Sequence, residues 1–292
     1  MEKETLECAL HCQKMEITQH RTYQRLTQLV KTGELATTLE NIAEDEQAHY
    51  GYWQQYTGRE VKPDEFQILL YSIFSRIFGV SFVMKLMEKE EIREQLICAN
   101  LRGEIQDIDS IIAQEHHHES LLTSLIDERH LAYVGAFFRG MYIAIVQITG
   151  VLAGLNLALH NARLIAIAAL AVGVATGLTM GGVGYLNSQV ERRKTGSRES
   201  LWNQLKNPLI TCVADIGMVF VLVSPYLAME GYAALAVSIF VSLVIIGLFA
   251  FYISVIQDDS FVKRISQMIM ISIITAVLSF VAGNLLSLLP RG

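Results

Sequence analysis

The chain has 292 residues, 52% of them hydrophobic, and a formal charge of −6 that hides two unlike halves. Positions 1–137 hold 23 Asp and Glu against 13 Lys and Arg, and positions 138–292 hold 6 against 10, so the halves carry −10 and +4. The acidic half, with seven of the eight histidines, draws cations and excludes nucleic acid as a partner, while the apolar half excludes a wholly water-soluble protein.

Positions 2–31 place Leu6, Leu10, Ile17 and Leu26 at helical spacing among polar neighbours, and Gly33 supplies a stop. A second helix is expected from about Glu34 to Tyr56. Gly58 and Pro63 then break the chain before a third helix from Asp64 to about Gln95, and Asn100 and Gly103 precede a fourth from Glu104 to Arg129. Short loops within each pair fold these helices into a four-helix bundle over positions 1–132, which leaves positions 133–292 as a membrane domain. Cys8, Cys12, Cys98 and Cys212 form no C-x-x-C pair, so a four-cysteine metal site is excluded and reduced thiols are expected. The polar start Glu2, Lys3, Glu4 lacks the early apolar run of a secretory signal.

Two Glu-x-x-His pairs, Glu46/His49 and Glu115/His118, fall in the middle of expected helices. Residues i and i+3 share a helix face, so each pair offers a carboxylate and an imidazole to one point. With the hairpins turning near Thr32 and Leu101, Glu16 lies about 16 residues before the first turn and Glu46 about 14 after it. Glu88 lies about 13 before the second turn and Glu115 about 14 after it, so at ~1.5 Å per residue the four carboxylates are nearly level. Glu91, about 10 residues from its turn, is a substitute or mobile ligand. Tyr23 shares the face of Glu16 and offers a phenol to a ligand carboxylate. Of the run His116, His117, His118, which spans about 200° of helix, only His118 is taken as a ligand. Asp127 and His130 repeat the spacing ~18 Å further on and are read as surface groups.

The set Glu16, Glu46, His49, Glu88, Glu115 and His118 is one Glu from each of two helices and one Glu-x-x-His from each of the others. It resembles the ferritin-like di-iron carboxylate proteins, and specifically the rubrerythrin branch, over roughly positions 5–130. The resemblance implies two Fe ions, with Mn as an alternative metal, and O2 or peroxide as the oxidant. The rubredoxin-like tail of many rubrerythrins is absent.

Apolar stretches at 138–159, 164–186, 208–229, 232–256 and 266–289 are each long enough for a bilayer core of ~30 Å. Arg192, Arg193, Lys194, Arg198 and Lys206 lie in the second connection and Lys263 and Arg264 in the fourth. The positive-inside rule then places the bundle in the cytoplasm and the C-terminus outside. Small residues at Gly173, Gly177 and Gly181 permit close helix packing and dimerisation.

Within these stretches Ile148, Thr149, Gly150, Val151, Leu152, Ala153, Gly154 and Leu155, then Thr179 to Tyr185 and the closing Ala282, Gly283 and Asn284, are similar to the vacuolar iron transporter family. Fusion of a rubrerythrin-like bundle to such a domain resembles the membrane-bound ferritins. The resemblance implies a five-helix divalent metal transporter, usually a homodimer, exchanging iron or manganese for protons, with a second-span Met matching Met180. Where the family has an Asp-Gly pair in its first span this chain has Ile143 and Ala144, and Gly184 stands where an acid precedes the family's Tyr. The remaining intramembrane polar candidates are Asp215, Asn156, Asn187, Asn284, Met180 and Met218, of which Asp215, Met180 and Asn187 form the expected transport set.

The expected architecture is therefore all-α, a ferritin-like bundle followed by five transmembrane helices. The expected function is capture and oxidation of Fe(II) or Mn(II) at the bundle, by ferroxidase or peroxidase chemistry, with supply to a metal/proton transport domain. A bilayer-anchored peroxide reductase without transport, and a metal sensor or storage module, are the alternatives.

Overall fold

A computed structural model describes residues 3–287 apart from 31, 100, 102–104, 106, 107, 160, 196–199 and 230; the side chains at 4, 91–99, 191, 195, 283 and 285–287 also lie outside the described set. Among the described residues the chain is all-helical, with α1 (Lys3–Val30), α2 (Glu34–Thr57), α3 (Glu65–Phe78), α4 (Val80–Ala99), α5 (Ile108–Ser124), α6 (Glu128–Ala158), α7 (Ala162–Thr195), α8 (Leu201–Val223), the single turn α9 (Pro225–Ala228), α10 (Gly231–Ile256) and α11 (Phe261–Ser287). It divides into two compact units, Met1–Leu131 and Ala132–Gly292.

In the first unit α1 packs against α2, α3 and α4, α4 packs against α5, and α2 packs against α5. The reason is visible in the buried positions. On α1 these include Thr5, Ala9, Cys12, Glu16, Gln19, Tyr23 and Leu26, a stripe alternating at spacings of four and three that keeps one face inward along the whole helix. Glu46 and His49 occupy the same kind of stripe on α2, between Ile42 and Trp53, and Glu115 and His118 do so on α5, between Ile112 and Leu122. Acid and imidazole thus stand where an ordinary bundle would carry aliphatic side chains.

Polar clamps hold the α1–α2 hairpin in register. The Thr57 hydroxyl donates to Gln13 Oε1 at 2.7 Å, the Gln13 amide donates to the Arg59 carbonyl at 2.9 Å, and Lys14 Nζ meets Asp64 Oδ2 at 2.8 Å. Asp64 also caps α3 by accepting from the Gln67 amide at 3.2 Å. Its carboxyl is held below the usual range by Lys14 and by that backbone donor.

Two helix boundaries differ from expectation. The single helix expected from Asp64 to Gln95 is broken at Gly79, whose φ of 92° lies where L side chains rarely go, and a Cβ there would collide with the His130 ring. Apolar periodicity on both sides of one glycine looks continuous in sequence, although the chain turns there. The helix expected to run to Arg129 stops at Ser124, and α6 starts at Glu128. Asp127 and His130 are exposed, as expected of surface groups, and Asp127 caps α6 by accepting from the His130 amide at 3.0 Å.

In the second unit five helices, α6, α7, α8 continued by α9, α10 and α11, are long and apolar enough to cross a membrane. The glycines of α7 explain how α8 approaches so closely. Cβ atoms at Gly173, Gly177 and Gly181 would meet Val219, Asp215 with Ile216, and Cys212. This small-residue series is therefore consumed within the chain, against α8, rather than presented to a second copy.

Candidate metal centre

The inward stripes of α1, α2 and α5 bring Glu16, Glu46, His49 and Glu115 together, with one ligand atom from each within 4.8 Å of all the others. His49 Nδ1 lies 2.9 Å from Glu115 Oε1, 3.6 Å from Glu16 Oε2 and 3.6 Å from Glu46 Oε2. His118 Nδ1 lies 3.4 Å from Glu46 Oε1 and 3.8 Å from Glu115 Oε2. Glu46 and Glu115 therefore each turn one oxygen towards His49 and the other towards His118.

Such a cluster is costly without a cation. Glu46 is fully buried and Glu16, His49, Glu115 and His118 are all 9% exposed or less, yet Glu16 Oε2, both Glu46 oxygens, Glu115 Oε1 and the Nδ1 atoms of both histidines have no hydrogen-bond partner. Ligands held at about 2.1 Å from one ion lie about 3 Å apart when adjacent and about 4 Å when opposite, and the close approaches here, from 2.9 to 3.8 Å, fall in that range. The residues therefore fit a metal ion.

Outer contacts orient the ligands. His49 Nε2 is 2.7 Å from Gln114 Oε1, and His118 Nε2 is 3.0 Å from Asp45 Oδ2. Gln114 directly precedes Glu115 and Asp45 directly precedes Glu46, so each motif braces the imidazole of the other helix and leaves both Nδ1 atoms facing inward. Trp53 Nε1 donates to Glu16 Oε1 at 2.9 Å. Ala9, Cys12, Trp53, Ile108, Ile111 and Ile112 form an apolar cluster that keeps water from this part of the bundle.

Without metal the buried charges are balanced by protons. Burial alone would lower the His118 pKa, but the carboxylates of Glu115 and Glu46 facing it outweigh burial and raise it from 6.5 to about 10. Burial is likewise outweighed at His49, where Glu115, Glu16 and Glu46 push the pKa well upward. At Glu46 burial is overcome by the facing imidazoles of His118 and His49, which lower its pKa to about 2. Glu16 goes the other way, since burial raises its pKa, with His49 opposing and the charges of Glu46 and Glu115 adding to the rise. A metal ion entering the cluster displaces protons from the imidazoles.

No family model, curated protein or solved structure matches the chain. The site is therefore read from its own geometry.

The remaining expected site residues are placed differently. Glu88 on α4 is not in the gathered set, since its Oε2 lies 2.8 Å from Lys85 Nζ on the same helix. The Glu91 side chain lies outside the described residues. Tyr23 is fully buried on the α1 stripe. In the second unit Met180 and Asn187 line one cavity of about 590 Å³, together with Ile143 and Gly184, and Asp215 is not among its lining residues. Asp215 is fully buried against Gly177 with neither carboxylate oxygen hydrogen-bonded. Asp45, Gln114 and Trp53 were not expected as site residues. The signal available for Trp53 was its position four residues after His49, on the same face.

Proposed function

We propose that the chain is a membrane-bound, ferritin-like di-iron protein of rubrerythrin type that captures and oxidises Fe(II), or Mn(II), and hands metal to or from its membrane domain. The observation that carries this reading is the double aim of Glu46 and Glu115, each with one oxygen towards either histidine. Two carboxylates shared between two imidazoles suit two adjacent ions, and a mixed carboxylate and imidazole set without sulfur suits iron or manganese. One ion would take Glu16, Glu46, His49 and Glu115. The other would take Glu46, Glu115 and His118, with a carboxylate from α4 completing it. Glu88 can serve if it leaves Lys85, and Glu91 is the alternative.

When bound, the metal pair supplies electrons to O2 or peroxide. The protein's part is positional. Asp45 and Gln114 fix the ring planes, Trp53 holds Glu16, and the apolar cluster excludes water. In the membrane unit Asp215, Met180 and Asn187 are the transport candidates, with the positive-inside rule setting the bundle in the cytoplasm. A second reading, peroxide reduction by an anchored enzyme without transport, is favoured by the cavity around Met180 and Asn187, whose lining among the described residues contains no acid.

The test uses the full chain in detergent. Anaerobic Fe(II) should bind at two per chain and be oxidised on addition of O2 or peroxide, and Glu115→Ala should remove both properties. Unchanged stoichiometry and turnover in that variant would overturn the assignment. Sealed vesicles loaded with the wild type then separate the two readings, since metal flux above empty vesicles supports transport and its absence supports the anchor.

A further inference from the structure

Trp53 joins the metal centre to a group of oxidisable side chains. Its indole is fully buried and Nε1 donates to Glu16 Oε1 at 2.9 Å, so the ring touches a ligand carboxylate directly. Tyr52 meets that indole edge-on with ring centroids 5.5 Å apart, and Tyr56 follows at 5.1 Å from Tyr52. Both tyrosines are only partly buried and pack, with Cys8, against the apolar cluster that contains Trp53 and Cys12. The spacing on α2 produces this line. Trp53 comes seven residues after Glu46 and four after His49, which keeps it on the inward stripe, while Tyr52 and Tyr56, four apart, form the adjoining and less buried stripe.

Packing alone does not call for these ring types. The ring group of α3 and α4, formed by Phe74, Phe78 and Phe82 with centroids 4.7 to 6.4 Å apart, is phenylalanine throughout. Indole and phenol lose one electron far more readily than a phenyl ring, and a phenol can release its proton in the same step. Ile108, Ile111 and Ile112 enclose the indole in the same apolar cluster, which keeps water from a transiently oxidised ring. The chemistry proposed for the centre supplies a need for such rings. Taking O2 to two waters consumes four electrons and four protons, and two Fe(II) supply only two of the electrons.

We propose that Trp53, Tyr52 and Tyr56 form an electron relay that supplies the second electron pair when O2 is reduced at the metal centre. Tyr52 and Tyr56 each lose one electron and the phenolic proton and become neutral phenoxyl radicals, while Trp53 passes the two electrons inward in turn and ends unchanged. With two further protons from solvent, O2 becomes two waters as two Fe(II) become two Fe(III). A soluble one-electron donor such as ascorbate then returns one electron and one proton to each phenoxyl. Without the relay, two Fe(II) and two protons carry O2 only as far as hydrogen peroxide. The relay rests on the metal reading given under the proposed function, although neither tyrosine belongs to the ligand set.

Two measurements on the full chain in detergent test it, and the first needs no metal. Metal-free protein is oxidised by photolysis of tris(bipyridine)ruthenium with persulfate, and oxidised tryptophan is located by peptide mass spectrometry. Trp202 is 62% exposed and reports that the oxidant has acted, whereas the enclosed Trp53 is reached only through its neighbours. Wild type should show oxidised Trp53, and Y52F/Y56F, which keeps both rings, should lose most of it with Trp202 unaffected. In the second, protein loaded anaerobically with Fe(II) is mixed with O2 and freeze-quenched. Wild type should give a tyrosyl radical signal, narrowed when the tyrosines are ring-deuterated, and little hydrogen peroxide. Y52F/Y56F should bind the same amount of iron, lose the signal and release peroxide instead, and W53F should lose the signal with both tyrosines in place. Equal oxidation of Trp53 in wild type and Y52F/Y56F overturns the proposal. So does a tyrosyl signal that persists in either variant, or iron-loaded wild type that releases peroxide without a radical. Wild type that binds no iron overturns the metal reading instead, and the electron path then stands or falls by the first measurement.

Discussion

Glu46 and Asp215 are both fully buried carboxylates whose oxygens lack a hydrogen-bond partner, but they sit in opposite surroundings. Glu46 lies between two imidazoles and beside two further carboxylates on three packed helices. Among the described residues Asp215 forms no ion pair, and it is pressed against a glycine of α7 that makes room for it. A buried charge among convergent donors points to a cation shared by several side chains, whereas a solitary one points to a group that holds or passes a single proton. The same unsatisfied oxygen therefore has two meanings, and the neighbours decide which applies.

The largest expected effect breaks the first site alone. Glu46→Ala should abolish binding of at least one metal per chain and weaken the rest by more than about a hundredfold, measured by metal analysis and competition, because an inner ligand should cost more than the ~10–100-fold of outer ones. Asp215→Asn should leave metal stoichiometry unchanged and abolish any proton-coupled flux in vesicles. Loss of bundle metal in Asp215→Asn would end the contrast between the sites.

A pH series comes next. The His118 pKa is raised to about 10 in the metal-free chain, so metal must displace a proton throughout the range below that value. Affinity should rise about tenfold per pH unit for each proton displaced, up to near pH 10. The metal-free fold should respond with the opposite sign. The stability that a raised histidine pKa contributes is complete below about 6.5 and is lost as pH rises towards about 10. Melting temperatures of the metal-free and loaded protein across this window should therefore diverge. Parallel curves would show that these imidazoles do not exchange protons for metal.

Smaller effects follow from the braces. Asp45→Ala frees the His118 ring and Gln114→Ala frees His49, and each should weaken metal binding by ~10–100-fold while leaving the helical content intact. Trp53→Phe keeps the ring packing but removes the donor to Glu16, which should cost about 1 kcal/mol in denaturant unfolding of the metal-free protein. A cost of several kcal/mol there would mean that Trp53 acts through packing and not through its hydrogen bond.

Much of the candidate site is legible in the sequence, because its signals are local. Spacing i, i+3 puts Glu46 with His49 and Glu115 with His118 on one face, and counting from the hairpins brings Glu16 level with them. The same count brought Glu88 level but could not foresee that Lys85, one turn away, takes its carboxylate. The break at Gly79 was hidden for a related reason. A glycine in an apolar periodic run is compatible with a helix until the collision between a Cβ and His130, more than fifty positions away, is known.

The amino-acid sequence by itself determined the all-helical class, the five membrane-length spans and the residues able to offer ligands, since these depend on composition and on periodicity along one chain segment. Only the tertiary structure decided which ligands converge, that Asp45 and Gln114 each brace the histidine of the opposite motif, and that Met180 and Asn187 face a cavity of arginines and amides while Asp215 does not. These facts depend on how each helix is rotated about its axis against its neighbours. That rotation is set by the packing of all the stripes at once and leaves no local trace in the sequence.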